Sequence, residues 1–141
     1  MKNNKTRVAL KKTLMGLKKA LPSFIGVFLL VGLVMQLDFE TISRLFTGNP
    51  FVDSLIGSSI GSVAAGNPVT SYIIGGELLS KGATLFAVTA FVLSWVTVGI
   101  VQFPAEAIML GRKFAVVRNV SSFVLSIFVA LAVVMTLGLM Q

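Results

Sequence analysis

The sequence predicts an all-α integral membrane protein: three transmembrane helices, a re-entrant broken-helix hairpin, and an N-terminal basic amphipathic helix. Three observations predict this class. Hydrophobic residues make up 55% of the 141 residues and charged residues only 12%, against about 25% charge in a soluble domain. A chain this apolar cannot cover its own surface in water, which excludes a soluble enzyme and a disordered chain alike. The charges leave four uncharged windows, at residues 20–37, 54–76, 82–105 and 119–141, each near the roughly 20 residues that cross a hydrocarbon layer. Seven of the twelve basic residues fall in the first nineteen positions. This marks a cytoplasmic N-terminus and not nucleic-acid binding, since no base-stacking aromatics interleave the basic run.

Residues 1–21 form the cytoplasmic segment and residues 22–141 the membrane domain. Leu10, Leu14, Leu17 and Leu21 are spaced 4, 3, 4 along one helical face, with Lys11, Lys12, Lys18 and Lys19 on the others. The pattern predicts an amphipathic helix ending before Pro22. It serves as an orientation signal, and it suits an anionic lipid surface or a docking partner. Residues 22–37 form the first span. Gln36-Leu37-Asp38-Phe39 offers no small-x-small cleavage site, so the segment reads as permanent.

The second window differs in kind. It holds Gly57, Ser58, Ser59, Gly61, Ser62 and Gly66, then Asn67-Pro68, then Gly75-Gly76. Gly66 suits a helix end, Asn67 an N-cap and Pro68 a first helical position. Two half-helices are expected within residues 51–79, at about residues 51–65 and 68–79, the second about 18 Å long. A full crossing would place Arg112, Lys113 and Arg118 outside. A re-entrant hairpin keeps them on the side of the basic tail and leaves Arg44 and Lys81 outside with Asp38, Glu40, Asp53 and Glu77, so the charges favour the hairpin. Spans follow at about residues 83–103 and 119–140. Between them Pro104 opens a short piece running to Arg112, with Glu106 near its start and Arg112-Lys113 near its end, matching the helix dipole. The expected location is the plasma membrane, multi-pass.

Irregular backbone at membrane depth is tolerated where protein buries it or water lines it, and transporters build sites from paired half-helices. Asn67, Pro68, Thr70 and Ser71 are therefore candidate residues of a substrate path, with Ser58 and Ser62 facing them from the other arm. The open N–H groups at Val69 to Ser71 attract negative charge, which points to a small, anionic solute. Glu77 and Glu106 are candidates for proton transfer or gating. Structural readings stand beside these. Gly57, Gly61 and Ala65, and likewise Ser58, Ser62 and Gly66, form small-xxx-small ladders suited to close packing. Asp53 and Glu77 read as solvated interface residues, Gln102 as interfacial, and Trp95 as a packing or lipid-facing residue. The chain has no Cys and no His, so no thiolate nucleophile, metal centre or cofactor is expected, and no enzyme.

The stretch Gly66-Asn67-Pro68-Val69-Thr70-Ser71-Tyr72-Ile73-Ile74-Gly75-Gly76-Glu77-Leu78-Leu79-Ser80-Lys81-Gly82, followed by Leu85-Phe86-Ala87-Val88-Thr89-Ala90-Phe91, resembles the predicted permease family that includes the organoarsenical efflux permeases. Gly111-Arg112-Lys113-Phe114 with Arg118 is similar to the Gly-then-basic loop ahead of a family span. The resemblance covers roughly residues 50–140. It implies a permease scaffold without naming a substrate, because the family's frequent Cys near the Pro-Ser segment is missing here. Members are commonly twice this length, built from two related halves. The expectation is a half-size permease subunit in the lipid bilayer, working as a homodimer or a paired half-permease that moves a small solute. The alternative is a non-transporting membrane anchor or regulatory subunit.

Overall fold

The computed structural model describes residues 2–35, 41, 44–64 and 67–140. The expected positions of Asp38, Glu40, Ala65 and Gly66 lie outside the described residues, as do the side chains of Lys2, Lys5 and Lys19. Every described element is a helix: α1 (Lys2–Met35), α2 (Pro50–Val63), α3 (Pro68–Ser80), α4 (Leu85–Thr97), α5 (Phe103–Met109) and α6 (Arg112–Met140). Among the described residues there is one helix long and apolar enough to cross a membrane, α6.

The helix α1 runs unbroken through Pro22. The expected stop before Pro22 is thus corrected, and one helix carries both the amphipathic segment and residues 20–35 of the first window. A proline inside a helix removes one ladder bond, here to the Lys18 carbonyl, and the turns on either side keep theirs.

The helices α2 and α3 begin alike. Asn49 caps α2, its side chain accepting from the N–H groups of Phe51 and Val52, with Pro50 in the first turn. Asn67 caps α3, accepting from Val69 N–H at 3.0 Å, with Pro68 in the first turn. Proline needs no partner at that position, because the first N–H groups of a helix have none. The likeness extends further along the sequence. Gly48-Asn49-Pro50 and Gly66-Asn67-Pro68 are each followed by a buried residue four positions after the Asn, Asp53 or Ser71, and another eight positions after it, Gly57 or Gly75. The two half-helices are therefore copies of one pattern.

The helix α4 is the centre of the molecule. Along α2 and α4, Asp53 meets Thr84, Gly57 meets Ala87, and Gly61 meets Phe91 and Ser94, so the two run parallel. A Cβ at Gly57 would overlap the Ala87 carbonyl, and one at Gly61 the Phe91 carbonyl and the Ser94 hydroxyl. The described part of the first small-residue ladder is thus a packing face. The helix α3 returns on the other side of α4, with Gly75 against Val88 and Val92 and the Ala83 N–H donating to the Leu78 carbonyl at 2.9 Å. The arms α2 and α3 make no close backbone approach to each other among the described residues, since each packs on α4. Leaving Asp53 and arriving at Thr84, the chain goes out and back to the same end.

Between the arms lies the apolar core of Ala64, Leu78, Ala83, Phe91 and Trp95. The Phe91 and Trp95 rings meet edge to face at 5.3 Å, a favoured aromatic geometry. The helix α6 lies antiparallel to α4 and also touches α2. There Ser58 and Ser126 share a buried hydrogen bond of 3.0 Å.

Two expectations about the later windows are corrected. The helix expected over residues 83–103 ends at Thr97, because Gly99 gives its N–H to the Asn119 side chain at 2.9 Å in place of a helical partner. Gly111, at φ +94°, turns the chain at the end of α5, and a new helix begins at Arg112. That positive φ is open to glycine without steric cost. Arg112 and Lys113 therefore open α6 and do not close the preceding piece, so the macrodipole does not account for them. Glu106 stands in the first turn of α5, as expected, and is also held by side-chain partners.

Candidate functional site

A pocket of about 210 Å³ lies where the outgoing arm of the hairpin ends and α4 breaks, lined by Ala64, Trp95, Val98, Gly99, Val101 and Gln102. Its shape follows from two interruptions. The helix α2 ends at Val63 and is capped by the extended Ala64, three residues before Asn67. The helix α4 ends at Thr97 and is capped by the extended Val98, and the chain turns through residues 99–102 before α5. Each interruption leaves backbone polar groups outside the helical ladder. Gly99 keeps the wall thin: a Cβ there would sit 3.1 Å from the Gln102 Oε1 and 3.3 Å from the Arg118 Nη1.

Behind this wall stands a charged network. Glu106 Oε1 accepts from Arg118 Nη1, and Glu106 Oε2 accepts from Asn119 Nδ2 at 3.2 Å. Asn119 Nδ2 also donates to the Ala115 carbonyl at 2.9 Å, and Asn119 Oδ1 accepts from Gly99 N–H. Asn119 is buried, while the Glu106 and Arg118 side chains are partly exposed. The network ties the α4 break, α5 and the first turns of α6 together. It places one carboxylate and one guanidinium beside the pocket, each already engaged by the other.

The residues expected to form the path fall into separate places. Asn67, Pro68 and Thr70 are exposed at the start of α3. Ser71 is fully buried, its hydroxyl donating to the Pro68 carbonyl at 2.6 Å. Ser62 is buried and donates to the Ser59 carbonyl at 2.8 Å. Ser58 points away from α3 towards α6, where it meets Ser126. The hydroxyls of Ser58, Ser62 and Ser71 are thus occupied by local or interhelical bonds. Glu77 is exposed near the far end of α3, and Glu106 is an ion-pair partner.

Asp53 departs most from its expectation. It is fully buried, not a solvated interface residue. Its Oδ1 accepts from the Thr47 N–H at 2.8 Å and the Thr47 hydroxyl at 3.2 Å; its Oδ2 accepts from Gly48 N–H at 3.1 Å and the Thr84 hydroxyl at 2.8 Å. Four donors replace water around the carboxylate, which is how a buried charge is accommodated. The residue pins the loop ahead of α2 to the start of α4.

Gly99, Gln102, Arg118 and Asn119 are the site residues that window counting misses. The signals were present as Gly99 inside an apolar run and Pro104 soon after it, together a sign of an interrupted helix. No protein-family model, curated protein or solved structure matches the chain.

Proposed function

We propose that the chain is a half-size membrane permease subunit that passes a small anionic solute through an oligomeric path, with the hairpin re-entering the bilayer from one side. The observation that carries this reading is the pocket itself, where the end of α2 and the broken end of α4 converge. In a bilayer, interrupted backbone is stable only when protein covers it or water reaches it. The exposed Asn67, Pro68 and Thr70 nearby raise the same requirement. A second copy or a paired half meets it, and a solute path meets it as well. The apolar exterior is consistent with lipid contact: Val117, Val120, Leu125 and Phe128 on α6 and Val69, Tyr72 and Ile73 on α3 are all more than half exposed.

The depth of the site in this reading differs from the midplane. Asn119, which bonds Gly99, stands at the start of the uncharged stretch of α6. With the basic N-terminus inside, the pocket lies towards the cytoplasmic side. The resemblance to the permease family supports the scaffold; the Val69 and Thr70 N–H groups, expected to be open to an anion, are instead taken by the Asn67 side chain and carbonyl.

The test uses the Cys-free chain in vesicles. Ala64→Cys and Gly99→Cys should both react with a membrane-impermeant thiol reagent from the side on which Lys113→Cys reacts. Silence at both positions, with Lys113→Cys labelled, overturns the solute path. Asn67→Leu and Pro68→Leu should abolish solute flux while leaving insertion intact.

A further inference from the structure

We infer that the N-terminal half of α1, up to Leu21, is an interfacial helix that docks on anionic phospholipid headgroups, with Pro22 as its hinge. The inference rests on the membrane placement proposed above and is independent of transport. Three observations carry it.

The leucine stripe is helical and uncovered. Leu10, Leu14, Leu17 and Leu21 all lie in α1 and are 62%, 58%, 55% and 51% exposed. Val8 and Met15 are exposed away from the stripe, but the leucines align on one face flanked by lysines, the shape that enters the boundary between headgroups and acyl chains.

The charge around the stripe has one sign. Seven basic residues and no acidic one precede Asp38, and the described cations Arg7, Lys11, Lys12 and Lys18 are exposed. At about 100° per residue, Lys11 and Lys18 stand about a quarter-turn from the leucines, and Lys12 lies on the far side. Flanking lysines there can lay their methylene stems along the apolar boundary and carry the ammonium groups to phosphate. This charge selects the occupant. A second copy of the same helix would bring seven positive charges against seven, with no acid on either to offset them. An anionic leaflet attracts all of them.

The third observation is Pro22 within the helix. It removes the ladder bond to Lys18 between the amphipathic turns and the apolar ones that follow. Helices kink at such positions, and a bend there lets the first half lie along the surface that the second half enters.

The experiment uses the full chain, reconstituted in vesicles of phosphatidylcholine alone or with phosphatidylglycerol. Leu17→Cys and Lys12→Cys carry an environment-sensitive fluorophore. Probe emission at position 17 should shift to the blue in the anionic vesicles only, and position 12 should stay water-exposed in both. The shift should vanish at about 1 M salt, where the Debye length falls to about 3 Å, and in the triple variant Lys11→Glu, Lys12→Glu, Lys18→Glu. Equal emission at position 17 in both vesicle types overturns the inference. So does a blue shift that follows protein-to-lipid ratio and not lipid charge, which would assign the stripe to a second copy. Flotation with the vesicles separates the two readings: a chain that floats but shows no charge-dependent shift defeats the lipid dock alone, whereas a chain that fails to float defeats the membrane placement and the dock with it.

Discussion

Asp53 and Glu77 are both acids near ends of half-helices, yet the fold gives them opposite surroundings. Asp53 is sealed among four donors, and Glu77 is exposed. Asp53→Ala would strand the Thr47, Gly48 and Thr84 donors, and hydrogen bonds to a charged group are worth about 1.5–3 kcal/mol each. We expect a loss of about 3 kcal/mol or more in reversible unfolding from detergent. Glu77→Gln should change the unfolding free energy by no more than about 0.5 kcal/mol, as exposed substitutions generally do. The difference was not legible in the sequence. Both residues border the same uncharged window, and the Thr84 hydroxyl that completes the Asp53 shell comes from 31 positions along the chain. The cap at Asn67, by contrast, was legible, because Asn followed by Pro satisfies the local chemistry of a helix start without help from elsewhere.

At the scale of helices, packing on α4 separates the glycines. Gly57 and Gly61 face its backbone, so Gly57→Val or Gly61→Val forces two helices apart. Overpacking of this kind costs about 1–3 kcal/mol, occasionally more, and should lower the thermal midpoint in detergent. Gly76 in α3 faces open space. Gly76→Ala should raise the midpoint, with a gain of about 0.5–1 kcal/mol in stability through the lower backbone entropy of the unfolded chain. Asn119→Leu removes the acceptor that holds Gly99 and a donor to Glu106, and it should make Gly99→Cys react faster with thiol reagents. The half-helix boundaries were readable from local signals, for residues 50–63 and 68–80 nearly coincide with the expected 51–65 and 68–79. The end of α4 was not readable, since its cause is a side chain 20 residues further on. The repeat of Gly-Asn-Pro ahead of each arm was present in the letters all along. Its meaning needed the fold, where one copy packs parallel to α4 and the other antiparallel.

For the whole molecule, the out-and-back course from Asp53 to Thr84 sets a topological expectation. Cysteines replacing Arg44 and Lys81 should label from one face of the membrane, and a cysteine replacing Arg112 from the opposite one. Labelling of positions 44 and 81 from different faces would overturn re-entry. The all-helical class was legible in the lengths of the uncharged apolar windows, which suit helices and are too long for single strands. The relation of the helices to one another was not, since the uncharged windows fix lengths and not contacts.

The unequal helix lengths bear on the lipid itself. The helices α2, α3 and α4 have 14, 13 and 13 residues, about 20 Å each, while the 29 residues of α6 reach about 44 Å. A hydrocarbon layer of about 30 Å exceeds the first length and falls within the second. In the membrane placement proposed above, acyl chains on the flank of the short helices would shorten or give way to protein, whereas beside α6 they would not. A subunit so placed would be drawn to join a like neighbour thin side to thin side, because the joined rims would expose less of the mismatch than two separate ones.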